Sequence, residues 1–72
     1  MNLNKDAKEL IKRNSMLLCS LMKQMYHYTF NELQHICRLG DTDLCLAIVR
    51  LLQEGKLQQS RNGQNVYYML VG

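Results

Sequence analysis

Apolar side chains recur at the spacing of one helix face over the first third of the chain, at Leu10, Ile11, Leu17, Leu18, Leu21, Met22 and Met25. Asp6-Ala7-Lys8-Glu9 has the form of a capping box, an acid followed three residues later by Glu. Asn14-Ser15 interrupts the apolar pattern. Two readings follow: one helix from about residue 5 to 25, or an arm over residues 1–13 before a helix capped by Asn14. Ser15 to Met25 is the secure part of either.

The period breaks at Tyr26-His27-Tyr28-Thr29-Phe30, whose side chains favour extended backbone. A very short strand or extended linker is expected over 28–30. Asn31 then caps a second helix with Gln34 at the reciprocal position. Leu33, Ile36, Cys37 and Leu39 form its inward face, and Gly40 ends it with a left-handed residue. A third helix starts at Asp41 or Thr42. Its buried stripe is Leu44, Ala47, Ile48, Leu51 and Leu52, and Gly55 ends it. So short a joint between two helices forces them to cross sharply, as in a helix-turn-helix.

The pattern then changes to a β-hairpin. Asn62-Gly63 predicts a type I′ turn between arms Lys56–Arg61 and Gln64–Val71. Val66, Tyr68 and Leu70 share one face of the second arm, and Tyr67, Met69 and Val71 share the other. Leu57 on the first arm packs inward. The expected fold class is α+β, mainly α, in a single domain spanning 1–72.

With 72 residues, the core is small enough that pairing would help it. The net charge of +3 leans mildly toward a polyanionic partner. Cys19, Cys37 and Cys45 are odd in number and lack CxxC spacing, which predicts free thiols rather than a disulfide framework or a zinc site. Charged residues interrupt Leu3 to Ile11, and the longest apolar run is far too short for a bilayer, so a cytoplasmic protein without membrane contact is expected. His27 and His35 have no carboxylate or thiol arranged beside them for a metal. Tyr26, Tyr28, Tyr67 and Tyr68 read as packing residues with polar tips. No nucleophile–base set or phosphate loop is present. The expectation is no enzyme, no cofactor and no evident small-molecule ligand.

The order helix, short strand, helix, turn, helix, hairpin resembles the winged-helix superfamily over residues 14–71. Thr29-Phe30-Asn31-Glu32-Leu33 and the exit Leu51-Leu52-Gln53-Glu54-Gly55-Lys56-Leu57 carry the resemblance. The chain is similar to small stand-alone bacterial members such as fimbrial-operon regulators. The resemblance implies a transcriptional regulator, acting as a dimer, that places helix 42–54 in the major groove of double-stranded DNA and sets hairpin 57–70 beside it as a wing.

Base edges and phosphates are met by Arg, Lys, Asn, Gln and hydroxyls. That singles out Thr42, Arg50 and Gln53 on the third helix, and Arg61, Asn62 and Gln64 on the wing. Asn65 at the wing, and Lys5, Lys8, Lys12 and Arg13 before the core, are either phosphate contacts or solvated surface. Asp41 and Asp43 oppose phosphate but complement the helix dipole. Cys45, Leu46 and Val49 form an apolar outer patch of the kind that marks protein contacts. The alternative is therefore a protein-interaction or dimerisation module using that patch, helped by Met16 or Cys19.

Overall fold

The computed structural model describes residues 3–71, with side chains described from Asp6 onward. Helix α1 (Leu3–Leu21) is continuous. Helix is already under way at Leu3, so Asp6 lies within it and the box at Asp6-Glu9 does not start it. Of the expected arm over 1–13, residues 3–13 are helical; the rest lies outside the described residues, as does the Lys5 side chain. Asn14 caps nothing, because it sits buried within α1. Ser15 satisfies itself there: its Oγ donates to the Ile11 carbonyl at 2.7 Å and lies 3.5 Å from the Ala47 carbonyl. Back-bonding of this kind lets a small polar residue sit inside a helix at a close crossing.

α1 stops four residues short of the expected Met25. The Lys23 N–H donates to the Tyr28 phenol oxygen at 2.8 Å instead of continuing the helical ladder. Met25 turns left-handed, with φ 68°. Tyr28 and Tyr68 then exchange backbone hydrogen bonds of 2.9 and 2.7 Å, so the strand expected at 28–30 reduces to one antiparallel bridge at Tyr28.

Helix α2 (Phe30–Cys37) is capped by Thr29 rather than Asn31. Thr29 Oγ1 accepts from the Glu32 N–H at 3.1 Å, and Glu32 Oε1 accepts from the Thr29 N–H at 2.9 Å. Thr followed three residues on by Glu closes both halves of a capping box, which Asn31 with Gln34 does not. Arg38, with φ 58°, supplies the left-handed residue after α2. Gly40 is extended instead and serves as the N-cap of α3 (Asp41–Gln53). Leu33 and Cys37 are buried and Leu39 packs at the core edge, but Ile36 is 39% exposed rather than inward.

Leu44, Ala47, Ile48 and Leu51 of α3 are buried as their spacing requires, with Leu52 packed beside them. At its end the Gly55 N–H reaches the Leu52 carbonyl and the Lys56 N–H the Leu51 carbonyl. This double closure is a Schellman motif, and Gly55 gives it the φ of +73° it needs. The chain turns into strands β1 (Leu57–Asn62) and β2 (Asn65–Leu70), paired antiparallel from Leu57↔Leu70 to Asn62↔Asn65. The loop is therefore Gly63-Gln64, one residue beyond the expected Asn62-Gly63. Only Gly63 has a positive φ, +65°, which fits a type II′ turn rather than I′ and leaves Asn62 in the ladder.

The helices and hairpin share one core. Leu18, Leu33, Leu44 and Leu51 are its largest fully buried side chains, joined by Met22, Tyr28, Ile48 and Leu57. Tyr68 and Leu70 pack onto it from β2, the face expected from their alternation.

Candidate nucleic-acid interface

At about 100° per residue, Thr42, Leu46, Val49 and Gln53 lie on α3 opposite its buried stripe. All four are exposed, Leu46 and Val49 by 43% and 49%. The outermost strip of α3 is thus apolar in the middle and polar at both ends. Cys45 is exposed on one flank. Arg50 lies on the other, half-buried beside α1, where its Nε stands 3.4 Å from Glu54 Oε2. Glu54 also meets Lys56, Oε1 to Nζ, at 3.6 Å. Pairs this open to solvent on at least one side are worth about 0–1 kcal/mol, so exchanging Glu54 for another anion would cost Arg50 little.

The start of α3 is built differently. Gly40 offers no capping side chain, and Asp41 and Asp43 lie in the first turn, where their charge suits the helix dipole. The Gln34 side-chain amide donates to the Asp41 carboxylate, tying α3 back to α2 across the short joint. Only three residues, 38–40, separate these two helices.

At the hairpin tip Arg61, Asn62, Gln64 and Asn65 are exposed. The hairpin places them together, apart from Thr42 and Gln53 in sequence and on a different element. Behind them His27 lies edge-on to Tyr67, with ring centroids 6.4 Å apart.

Charge is distributed against simple expectation. From Asp41 to Gln64, Arg50, Lys56 and Arg61 balance Asp41, Asp43 and Glu54, and no charged side chain follows. The whole formal +3 comes from residues before Asp41. Lys8, Lys12 and Arg13 are exposed on α1. Sequence reasoning singled out Arg50 but missed its partner, although Arg50 and Glu54 stand at the i,i+4 spacing that signals a helical ion pair.

Among the described residues, three titratable groups away from the outer strip of α3 are shifted by their surroundings. Glu32 is held below its ordinary range by the Thr29 backbone N–H, aided by the Thr29 hydroxyl and Tyr26. The charge of Glu32 in turn raises Tyr26. Burial raises the Cys19 thiol, with Lys56 opposing it. Among the described residues no group of three or more His, Cys, Asp or Glu is placed to hold a metal ion. No helix of the described residues is long and apolar enough to cross a membrane.

No family model matches the chain, and a search of curated proteins finds no match. Among solved structures, the transcriptional repressor BigR from Xylella fastidiosa superposes on it with a TM-score of 0.65. The match covers 100% of this chain and 83% of that one, at 22% sequence identity. The fold is a winged helix. In winged-helix terms, α2 and α3 form the helix-turn-helix, α3 is the second helix of that unit, and β1–β2 is the wing. The resemblance expected from the sequence over residues 14–71 extends to the first part of α1 as well, since the match covers 100% of this chain.

Proposed function

We propose that this winged helix binds double-stranded DNA as a transcriptional regulator, with α3 in the major groove and the β1–β2 tip against the backbone or minor groove. The superposition of the whole chain on a transcriptional repressor carries the reading. The open outer strip of α3 supports it, since no other part of the described chain covers Thr42, Leu46, Val49 or Gln53.

Each candidate residue has a role in that reading. Thr42 and Gln53 offer donors and acceptors to base edges, and Arg50 swings from Glu54 to a base or phosphate. Leu46 and Val49, with Cys45 beside them, meet thymine methyl groups, the one apolar feature the major groove displays. The apolar centre of α3 thus fits DNA of A·T-containing sequence, without the separate protein-contact role that Cys45, Leu46 and Val49 also suggest. Arg61, Asn62 and Gln64 anchor the wing to phosphate. Two copies would read half-sites about one helical turn apart. Exposed Leu10, Leu17 and Leu21 on one flank of α1 supply apolar surface for the second copy.

Fluorescence anisotropy with a labelled random-sequence duplex across a salt series tests the reading. Binding that weakens with salt is expected, because phosphate contacts release counterions. A flat signal at low salt and high protein concentration would falsify it.

A further inference from the structure

A groove of about 530 Å³ runs between α1 and the end of α3, lined by Lys12, Met16, Cys19, Arg50, Leu51 and Lys56 among others. It lies apart from the outer strip of α3 but shares Arg50 with the proposed DNA-contact residues. Its volume falls within the roughly 300–1,000 Å³ of small-molecule sites. Along α1 it follows Lys12 to Ser20, about 12 Å of helix rise at 1.5 Å per residue.

Its chemistry is two-part. Met16, Cys19 and Leu51 give it an apolar lining, and burial keeps the Cys19 thiol protonated, so the sulfur adds no charge. Lys12, Arg50 and Lys56 stand around it with Glu54 as the one acid of the lining. Glu54 is divided between Arg50 and Lys56 and leaves Lys12 uncompensated, so the groove keeps an excess of two positive charges. Ser15 and Ser20 add hydroxyls, but each already donates to a carbonyl of α1, at 2.7 Å in both cases. They therefore remain acceptors and weak polar contacts rather than free donors. Three cations at the edge of an apolar trough suit a ligand with a charged head and a hydrocarbon body.

The geometry points to a binding site for an amphipathic organic anion, a medium-chain carboxylate or its like, lying along α1 with its head held by one or more of the lining cations Lys12, Arg50 and Lys56. An elongated apolar body covers Met16, Cys19 and Leu51, and the head replaces Glu54 as partner to one or more of the cations. This site does not depend on the DNA reading, and its test contains no DNA.

Sodium decanoate, kept below its micelle concentration and at constant ionic strength, is titrated into the full chain and followed by amide-resolved NMR. Saturable shifts are expected at Ser15, Met16, Cys19, Ser20 and Lys56. The double variant Lys12→Glu with Lys56→Glu should bind roughly fivefold or more weakly, the scale of an exposed charge contact. Both positions are exposed, so the fold should survive the changes. Decanol and decyltrimethylammonium, tested on the unaltered chain, should also bind at least about fivefold more weakly, which keeps the test independent of the variant. Absent or non-saturable shifts, shifts centred elsewhere, equal binding of the neutral or cationic probe, or unchanged affinity in a folded double variant would each overturn the site.

Discussion

α1 and the α3–wing unit contribute to the same core but present opposite surfaces to solvent. Leu18 of α1 and Leu44 and Leu51 of α3 are equally buried. Outside, all of the excess positive charge lies before α3, on α1, on Lys23 of the connection that follows it and on Arg38 of the joint after α2, whereas α3 and the wing are formally neutral and end in amides, hydroxyls and short apolar side chains. On the proposed DNA reading the contrast separates two tasks: long-range attraction falls to the N-terminal half, and contact chemistry falls to α3 and the wing.

The largest test of this comparison concerns what the two regions share. Leu18→Ala and Leu44→Ala should each cost about 2–5 kcal/mol of stability, measured by denaturant unfolding. A large cost at Leu44 with none at Leu18 would mean that α1 is an accessory rather than part of the core.

The next test separates their surfaces. Gln53→Ala should weaken a specific duplex by about 1–3 kcal/mol if Gln53 reads a base, leaving unfolding unchanged. Arg61→Ala should weaken all duplexes alike and make the salt slope shallower by about 1. If Arg50, Lys56 and Arg61 are the cations that reach phosphate, the parent slope of log K against log salt should be no steeper than about −3 per copy bound. A much steeper slope would place α1 against the phosphates and dissolve the division of labour.

A smaller effect is expected at the joint between the regions. Thr29→Ala removes one half of the capping box and should cost about 1 kcal/mol. The pH dependence there follows from Glu32, whose carboxyl is lowered in the folded chain. Its contribution is therefore present above the unfolded value and is lost as pH falls through the folded one. In Thr29→Ala that acid-side loss should shrink, read from unfolding curves in the acid range.

The smallest effect is at solvent. Lys8→Gln should change stability by no more than about 0.5 kcal/mol. Val49→Lys should spare or strengthen binding to a random-sequence duplex, because it adds a cation to the outer strip of α3 while removing only a sequence-dependent thymine contact. A loss of self-association in Val49→Lys with random-sequence binding retained would favour the apolar patch as a protein contact.

The legible parts of the fold were those fixed by local period and local turn chemistry. The stripe from Leu44 to Leu51, the left-handed Gly55 and the alternating faces of β2 are all short-range patterns. The helix end at Leu21 was not legible, because it depends on the Tyr28 phenol capturing the Lys23 N–H, a contact that spacing does not encode. The second cap was readable but misplaced: Thr29-x-x-Glu32 and Asn31-x-x-Gln34 overlap, and only the first has a carboxylate to close the box. Gly40 and Arg38 exchanged roles for a similar reason, since Gly suits both a left-handed C-terminus and an extended N-cap. Of the candidate interface, the wing tip and the ends of the α3 strip could be read from hairpin and helix periods. The turning of Arg50 toward α1 could not. Nor could the groove, which is assembled from residues 12–20, 50–54 and 56.

The central claim is that α3 and the wing tip together form a face that touches duplex DNA. Amide-resolved NMR of the unaltered chain with a random-sequence duplex at low salt tests it most directly. The account predicts shifts clustered at Thr42, Leu46, Val49 and Gln53 and again from Arg61 to Gln64. Shifts confined to Lys8, Lys12 and Arg13, or none at all, would contradict it.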